Sequence, residues 1–568
     1  MGISPGVYSK IIDLSYYLQE VPGTTGFVSF FSKRGPDNKL TLISGHEEFK
    51  GKYGKPNIND YGKKYGQGPY IAWNHLAMSG SLYALRVLPD NASFSNLFVN
   101  LTMDSTADIS VTSKPAGSIN SLDNDLEKDN ELMTNGTTYP LIMFYPEGRG
   151  DSYNDFGITM EQHTNPVLKS DGVYVIKIYE LSSEGDSDDI KESFEVSFDE
   201  YAVDEAGESL YIDEVINRYS KCIKCHINED NLNEWKKTDV PIVFSNASSF
   251  QEYPINSGTT IESPAIHLSG GSEGELITID SITGRRRIDT SIADNLLVEA
   301  YYGFTDEKVQ NLDEIYFSLV YDAGYSRDVK DAIRYLCEDL RRDCVAIMDN
   351  GDNPDVVTSI DTRQNKAPIL NTFYAAMYEP FNKIYDIHTG KNIWVSPVYH
   401  MSSIIPKNDD LYEIWYPSAG FNRGTIPSIK ELRFNPTQGQ KDQLYLAQIN
   451  PIVKFNIGYT IWGNLTSQKR PSKLSNLSTV RSVLYIKRAL EQFVKYYVFE
   501  FNDSSTHEEV ASQISEFLQP VQDARALEGY SVNVGATEYE KKQKIMHCDV
   551  VLVPTGIIER VHLNLFIK

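Results

Sequence analysis

The sequence predicts a multidomain chain mixing α/β and α+β layers, and three observations carry that expectation. A length of 568 residues exceeds what one hydrophobic core supports, so three or four domains are expected, some built from discontinuous segments. Residues 314–348 read as strand, helix and strand, a parallel βαβ unit with a right-handed crossover. The last quarter, Leu444 to Lys568, carries two amphipathic helices and several strand patterns, which make an α+β core.

Near the start, Ser4-Pro5-Gly6 is a turn signal, and Val7 to Leu14 reads as a short strand or extended arm too small to fold alone. Gly26 to Phe31 is a buried strand closed by Arg34-Gly35-Pro36. Leu40 to Ser44 leads into a short helix around Glu47-Glu48-Phe49, with Gly51 and Gly54 ending it. Pro69 to Ser79 is a second helix and Ser81 to Leu88 a strand. From Phe94 to about Asn135 Ser, Asn, Thr and Asp predominate, as in a peripheral insertion. Strand patterns resume at Leu141–Tyr145, Gly172–Tyr179 and Phe194–Phe198, and residues 211–217 form an amphipathic helix.

In the βαβ unit, Glu314 to Tyr321 is the first strand, Val329, Ile333, Leu336, Cys337 and Leu340 share a helix face, and Cys344 to Met348 is the second strand. A helix is expected over Ile369–Tyr378 and a strand at Ile393–Ser396. Arg481 to Phe499 predicts a helix of about five turns. Thr506-His507-Glu508-Glu509 matches a capping box for a further helix that stops at Pro520. Strands follow at Ser531–Val534 and His547–Pro554. Gly556 to Ile567 alternates as a terminal strand with Ile557, Val561, Leu563, Leu565 and Ile567 on one face, completing a three-stranded sheet or pairing with a neighbouring molecule.

Charge and motifs exclude more than they assign. A net charge of −25 argues against a general nucleic-acid binder. No secretory leader pattern opens the chain and no apolar run is long enough to span a bilayer, so a soluble protein made in a cytoplasm is expected, with its five cysteines reduced. Cys222-Ile223-Lys224-Cys225-His226 matches a haem attachment string, but that chemistry needs export, and no second CxxC completes a zinc site. Two buried small residues near a turn are the favoured reading. The run Ser269 to Gly274 lacks the Lys-Ser of a phosphate loop and reads as a flexible surface turn. Arg285, Arg286 and Arg287 form a positive patch suited to an acidic surface of a partner subunit, with a solvated turn as the equal alternative. No catalytic motif stands out, so neither an enzyme nor a cofactor is expected.

Several segments in order then resemble the contractile phage tail sheath family. They are Pro5-Gly6-Val7-Tyr8, Thr25 to Val28 with Arg34-Gly35-Pro36, Ile43 to Phe49 with Tyr53-Gly54-Lys55-Pro56, and Leu82 to Val87. Tyr416 to Gly420, Asn450-Pro451-Ile452, Gly458 to Thr466 and the helix containing Arg481 continue the likeness. Asn464 and Leu465 depart from it, standing where many relatives carry a small residue and arginine.

The resemblance implies a structural subunit whose copies form hexameric rings, stacked helically around an inner tube and contracting on a baseplate signal to drive the tube through the host envelope. Expected partners are copies of the chain itself, the inner tube protein, and baseplate and tail terminator proteins, with no direct nucleic acid and no membrane insertion. The expected location is a virion tail assembled in a host bacterial cytoplasm. A discontinuous C-terminal α+β core domain with extended terminal arms, a middle α/β domain and a β-rich outer insertion are implied. The corresponding segments are 1–20 (arm), 21–93 and 231–415 (middle domain), 94–230 (insertion), 416–554 (core) and 555–568 (terminal strand or arm). Val7, Tyr8, Ile11, Ile12, Val561, Leu563, Leu565 and Ile567 would be the connecting strands between subunits, and Arg481 joins Arg285, Arg286 and Arg287 as an electrostatic contact. The alternatives are the sheath of a bacteriocin-like injection particle, a host-surface adhesin, and a cytosolic enzyme built around Asp322, Gly324 and Arg327, which requires a pocket at the strand's carboxyl end.

Overall fold

The structure is a computed structural model. It describes residues 24–562 except 105, 123, 182–187, 246–250, 255–259, 280–285 and 367–369. Its main body is one nine-stranded sheet. The strands are β1 (Gly26–Phe30), β2 (Thr41–Ile43), β3 (Leu82–Arg86), β4 (Leu319–Tyr321), β5 (Val345–Asp349), β6 (Ala375–Glu379), β7 (Thr425–Ile426), β8 (Ile449–Phe455) and β9 (Gly458–Ile461), in the order β2-β3-β1-β4-β5-β6-β8-β9-β7. The six inner strands, from β3 to β8, run parallel, and the outer ones are antiparallel.

Parallel strands must be covered on both faces, which explains their unbroken apolar runs. The covering helices include α1 (His46–Tyr53), α2 (Ile58–Tyr65), α3 (Gly68–Leu76), α4 (Thr290–Tyr302), α5 (Arg327–Tyr335) and α6 (Val398–Leu411). Helix α5 continues as a π turn over Leu336–Arg341, and β4-α5-β5 is the expected parallel unit. Only Leu319–Tyr321 of its first strand is extended in the ladder; Phe317 instead packs under the Arg341 guanidinium, 4.0 Å from the ring centroid. Gly51 lies inside α1 rather than ending it, and α2 is an additional helix.

Two expectations fail here. The helix expected over 369–378 is replaced by β6, a fully buried parallel strand whose continuous apolar run carries no period to separate it from a buried helix. Strands β7, β8 and β9 lie beyond the expected boundary at 416 yet complete the sheet begun by β1, because β8 pairs with β6.

The insertion leaves after β3. One antiparallel sheet orders residues 224–227, 138–145, 97–103 and 107–112, a second orders 266–267, 156–162, 173–181 and 188–197, and both share a core that includes Phe144, Ile158, Ile176 and Leu268. Strand pairing therefore extends to residue 267, past the expected limit at 230, and includes a strand over 156–162 that the sequence reading omits. The chain re-enters the main body through Ser269–Glu273, which bridges Ser93 and Asn96. This run is no surface turn. A Cβ on Gly271 would sit 2.1 Å from Ser95 Oγ and 2.3 Å from the Gly150 carbonyl, so only glycine fits.

The carboxyl ends of β4, β5 and β6 converge on buried polar groups. Lys330 of α5 sits between Asp322 and Asp349, with Nζ 3.1 Å from Asp349 Oδ1 and also bonded to Asp322 Oδ2. Burial opposes its charge, but the two carboxylates outweigh it and hold the ammonium above its ordinary value. The Ser396 hydroxyl donates to Asp349 at 2.6 Å. Beside them, Glu379 accepts from the Asn353 amide and the Ser359 hydroxyl, with Asn350 also in reach. Burial pushes the Glu379 carboxyl up to about 8 despite the lowering effect of these bonds, so it stays protonated at neutral pH.

A second, smaller core follows. Helices α8 (Leu477–Val494) and α9 (Ser504–Asp523) pack on one face of the hairpin β10 (Leu527–Gly535) and β11 (His547–Pro554); α7 (Gln438–Leu446) lies before β8. Helix α8 belongs to both cores, burying Leu477, Val480 and Leu484 in the large one and Ile486 and Phe493 in the small one. The capping box expected at Thr506 does not start α9. Asp503 does, accepting from the Thr506 amide at 2.9 Å, and the helix runs through Pro520, which forgoes one amide bond to the preceding turn, to Asp523.

Arg481 pins α8 to α6: its guanidinium bonds both Asp409 oxygens, Nη1 to Oδ1 at 3.0 Å, with the two side chains 5% and 7% exposed. Burial disfavours the cation and Asp409 more than restores it. The Thr24 hydroxyl donates to the same carboxylate.

Two predictions follow from these buried charges. Arg481→Met leaves Asp409 buried without its cation and should cost about 3–5 kcal/mol, read as a lower urea midpoint; an unchanged midpoint would show the pair to be dispensable. Glu379 has an ordinary value of 4.5, so between that and about 8 the unfolded chain has released a proton that the folded chain keeps. The stability this group contributes is complete below about 4.5 and is lost as pH rises through about 8. Glu379→Gln should remove that loss, so wild type should weaken relative to the variant between pH 6 and 9; parallel urea-midpoint curves would contradict the assignment.

Candidate assembly interface

The small core ends in an open hairpin. Its register runs from Leu527 opposite Pro554 to Gly535 opposite His547, with a bulge between Leu527 and Gly529. Alternation sends Tyr530, Val532, Val534, Cys548, Val550 and Leu552 toward α8 and α9. The opposite face carries Ser531, Asn533, Asp549, Val551 and Val553, all exposed. Among the described residues each strand has only the other as neighbour, so each presents a free edge of main-chain donors and acceptors.

The chain then leaves β11 without forming a third strand. Thr555 donates its amide to the Ala526 carbonyl at 3.1 Å, Gly556 to Glu528 at 3.3 Å, and Glu559 accepts from the Tyr445 hydroxyl of α7 at 2.8 Å. Thus 556–562 departs from the expected strand: it crosses toward α7, and Val561 is 81% exposed. The alternating pattern is real, but among the described residues no strand lies beside it to supply a ladder.

Of the remaining sequence candidates, Val7, Tyr8, Ile11, Ile12, Leu563, Leu565, Ile567 and Arg285 lie outside the described residues. Arg286 is committed within the chain, bonding Asp151 and, at 2.6 Å, Glu273, whose other oxygen accepts from Tyr61 at 2.6 Å. It ties the insertion to the main body. Arg481 likewise is spent on Asp409. Arg287 is exposed. Arg286–Asp151 and Arg481–Asp409 join residues 135 and 72 positions apart, which no local pattern announces; the clustered arginines were the only signal.

The chemical motifs are structural. Cys225 is buried and its thiol pushed well above the ordinary value by burial, Cys222 is pushed up to about 12 by burial and nearby Glu192, and His226 bonds Asp129 at 2.8 Å. Among the described residues no group of three or more His, Cys, Asp or Glu could hold a metal ion, and no helix is long and apolar enough to cross a membrane. Asp322 is fully buried and bonded within its own network, while Arg327 is exposed at the start of α5, so the two do not converge on a site. Asn464, one of the two departures from the family pattern, donates to Ser478 at the start of α8 at 2.9 Å, and Leu465 is anchored through Asn450.

No family model matches the chain. Over 171 residues it is 29% identical to the tail sheath protein of Vibrio phage KVP40, a stretch covering 29% of this chain and 26% of the phage protein. Over 151 residues it is 27% identical to the tail sheath protein of Enterobacteria phage T4, covering 26% and 23% respectively. The chain thus spans about a quarter of the length of the curated relatives it matches. In fold it is similar to the sheath tail protein of Desulfitobacterium hafniense, with a TM-score of 0.50 at 10% identity over 97% of this chain and 100% of that one. The sheath tail protein of Listeria innocua gives a TM-score of 0.51 at 9% identity over 94% and 96%. In a stretch of its sequence and in its fold, the chain is similar to tail sheath proteins.

Proposed function

We propose that the chain is the structural subunit of a contractile tail sheath, polymerising as stacked hexameric rings around an inner tube and contracting to drive that tube through a host envelope. The observation that carries this reading is the hairpin β10–β11, open along both edges, at the unit from which the terminal segments depart: Thr24 beside Arg481 of α8, and Thr555 directly from β11. Residues 7–14 of one subunit and 561–567 of another would add as strands to those edges, joining copies through main-chain bonds. Such joints survive rotation of whole subunits while weaker side-chain contacts between rings are exchanged. Contraction energy then resides in the difference between two packings of folded domains, and no nucleotide is needed. The inner tube protein, baseplate and tail terminator would be its further partners, and the virion tail its location.

Removing the last eight residues should leave a folded monomer that fails to polymerise. Negative-stain electron microscopy over a concentration series checks this, with the full-length protein as the reference, and rings or cylinders formed normally by the truncated chain would sink the proposal.

A further inference from the structure

Two apolar features of this chain lie exposed, and they sit at opposite ends of one helix. The first is the loop between α8 and α9, Lys495 to Asp503. Tyr496 and Val498 are 63% and 57% exposed, Phe501 82%, and Phe499 completely so. Phe499 also holds φ of +80°, in the left-handed region that a bulky side chain rarely adopts. The backbone around it is fixed by a Glu500 amide bond to the Tyr497 carbonyl at 3.2 Å and by Asn502, whose amide donates to the Ile545 carbonyl at 3.0 Å. Two phenyl rings are therefore held out in water on an ordered turn. Exposed apolar area of this kind, gathered in one place, marks an interaction surface.

The second feature is a cleft of about 1320 Å³ between α7, the turn after β9 and the C-terminal segment 554–561. Trp462, Leu446 and Ile558 line it, Leu446 and Ile558 being largely exposed, and Trp462 packs on Phe455 and Phe421 at centroid distances of 4.7 and 5.1 Å. Arg423, Lys441, Arg525 and Arg560 border it, against Asp442 and Glu559, a basic rim on a chain of net charge −25. Glu500 stands between the two exposed phenylalanines of the loop, so the charges are complementary.

The loop cannot reach the cleft of its own chain. Ser478, Thr479 and Ser482 of the first turns of α8 line the cleft, whereas the loop follows the last residue of that helix. The stretch of helix from Ser482 to the loop is buried in both cores and separates the two features by about 20 Å at ~1.5 Å per residue. A protrusion at one end and a receptor at the other is a heterologous pair, and repeating such a contact builds rings or open filaments instead of closed two-fold dimers.

We propose that the aromatic loop 495–503 of one copy seats in the cleft between α7 and the C-terminal segment of a second copy, with Phe499 and Phe501 as the anchors. This deepens the polymerising role proposed above and rests on it. The contact is made by side chains and is distinct from strand addition at the hairpin.

Two measurements test it on the full-length protein. Phe499→Ser combined with Phe501→Ser should raise the concentration needed for polymerisation about tenfold or more, as loss of two aromatic anchors does, while leaving the melting temperature unchanged because both side chains are exposed. Polymerisation at the wild-type concentration would overturn the contact. Separately, p-benzoylphenylalanine at position 499, in a mixture of isotope-labelled and unlabelled chains, should cross-link to Leu446, Trp462 or Ile558 of a different copy. Polymers whose cross-links fall within one chain, or on another surface of the second copy, overturn the loop contact and leave the sheath reading standing. A protein that forms no polymers at any concentration overturns both.

Discussion

The pair Arg481–Asp409 is the joint on which the arrangement of this molecule depends. Asp409 lies near the end of α6, a helix covering the large sheet, and Arg481 lies in α8, the one helix buried in both cores. The hydroxyl of Thr24 closes on the same carboxylate. Three parts of the chain therefore meet at one buried ion pair: the layer over the sheet, the spine of the small core and the root of the N-terminal segment. Water is excluded there, so the attraction is little screened, and either ion left alone would carry the full cost of burial. A pull on the hairpin passes along α8 and reaches the sheet through this contact.

The same economy governs the other cations. Arg86 is completely buried, donating to the carbonyls of Ser32, Lys33 and Gly35; Lys330 lies between two aspartates; Arg341 bonds Asp343 and the Val309 and Ile315 carbonyls; Arg286 bonds Asp151 and Glu273. These cations are buried together with carboxylates of their own, so the acidic excess behind the net charge of −25 is left to the surface. Copies of such a chain repel one another at long range and more so at low salt. Any stable contact between them must come from main-chain bonds and apolar area, the two resources that the hairpin edges and the aromatic loop hold exposed.

How much of this was legible in the sequence follows from the range of each interaction. The βαβ unit, the strand at Gly26, the helix through Arg481 and the β character of the insertion are written in local periodicity, and the structure has them. Residues 375–378 misread as helix because a strand buried on both faces shows no alternation. The glycines at 270 and 271 suggest mobility, whereas Gly271 allows a close approach to Ser95 and Gly150 and Gly270 one to the Lys114 carbonyl, visible only once residues 93–96 and 269–272 are side by side. Arg286 and Arg481 were read as outward contacts because their carboxylate partners lie 135 and 72 positions away. The likeness of ordered segments to a known family anticipated the fold better than any single motif, and it too works by order along the chain.

The hairpin shows why an open edge here is a feature to be used. Edge strands of monomeric proteins are commonly blunted by proline, lysine, bulges or shortness. Along β11 the one proline is Pro554, opposite the bulge at Leu527–Gly529, so pairing is disrupted only at the root where the chain turns toward α7. From His547 to Val553 the strand is regular, contains no lysine, and turns Val551 and Val553 outward. The outward residues of β10, Glu528, Ser531 and Asn533, are polar. The two edges are thus unequal: a strand arriving beside β11 finds main-chain partners and apolar side chains together, whereas one arriving beside β10 gains the main-chain bonds with little apolar area on that face. An asymmetric pair of acceptors can distinguish two different incoming segments, and that distinction is what a subunit needs in order to join one neighbour on each side.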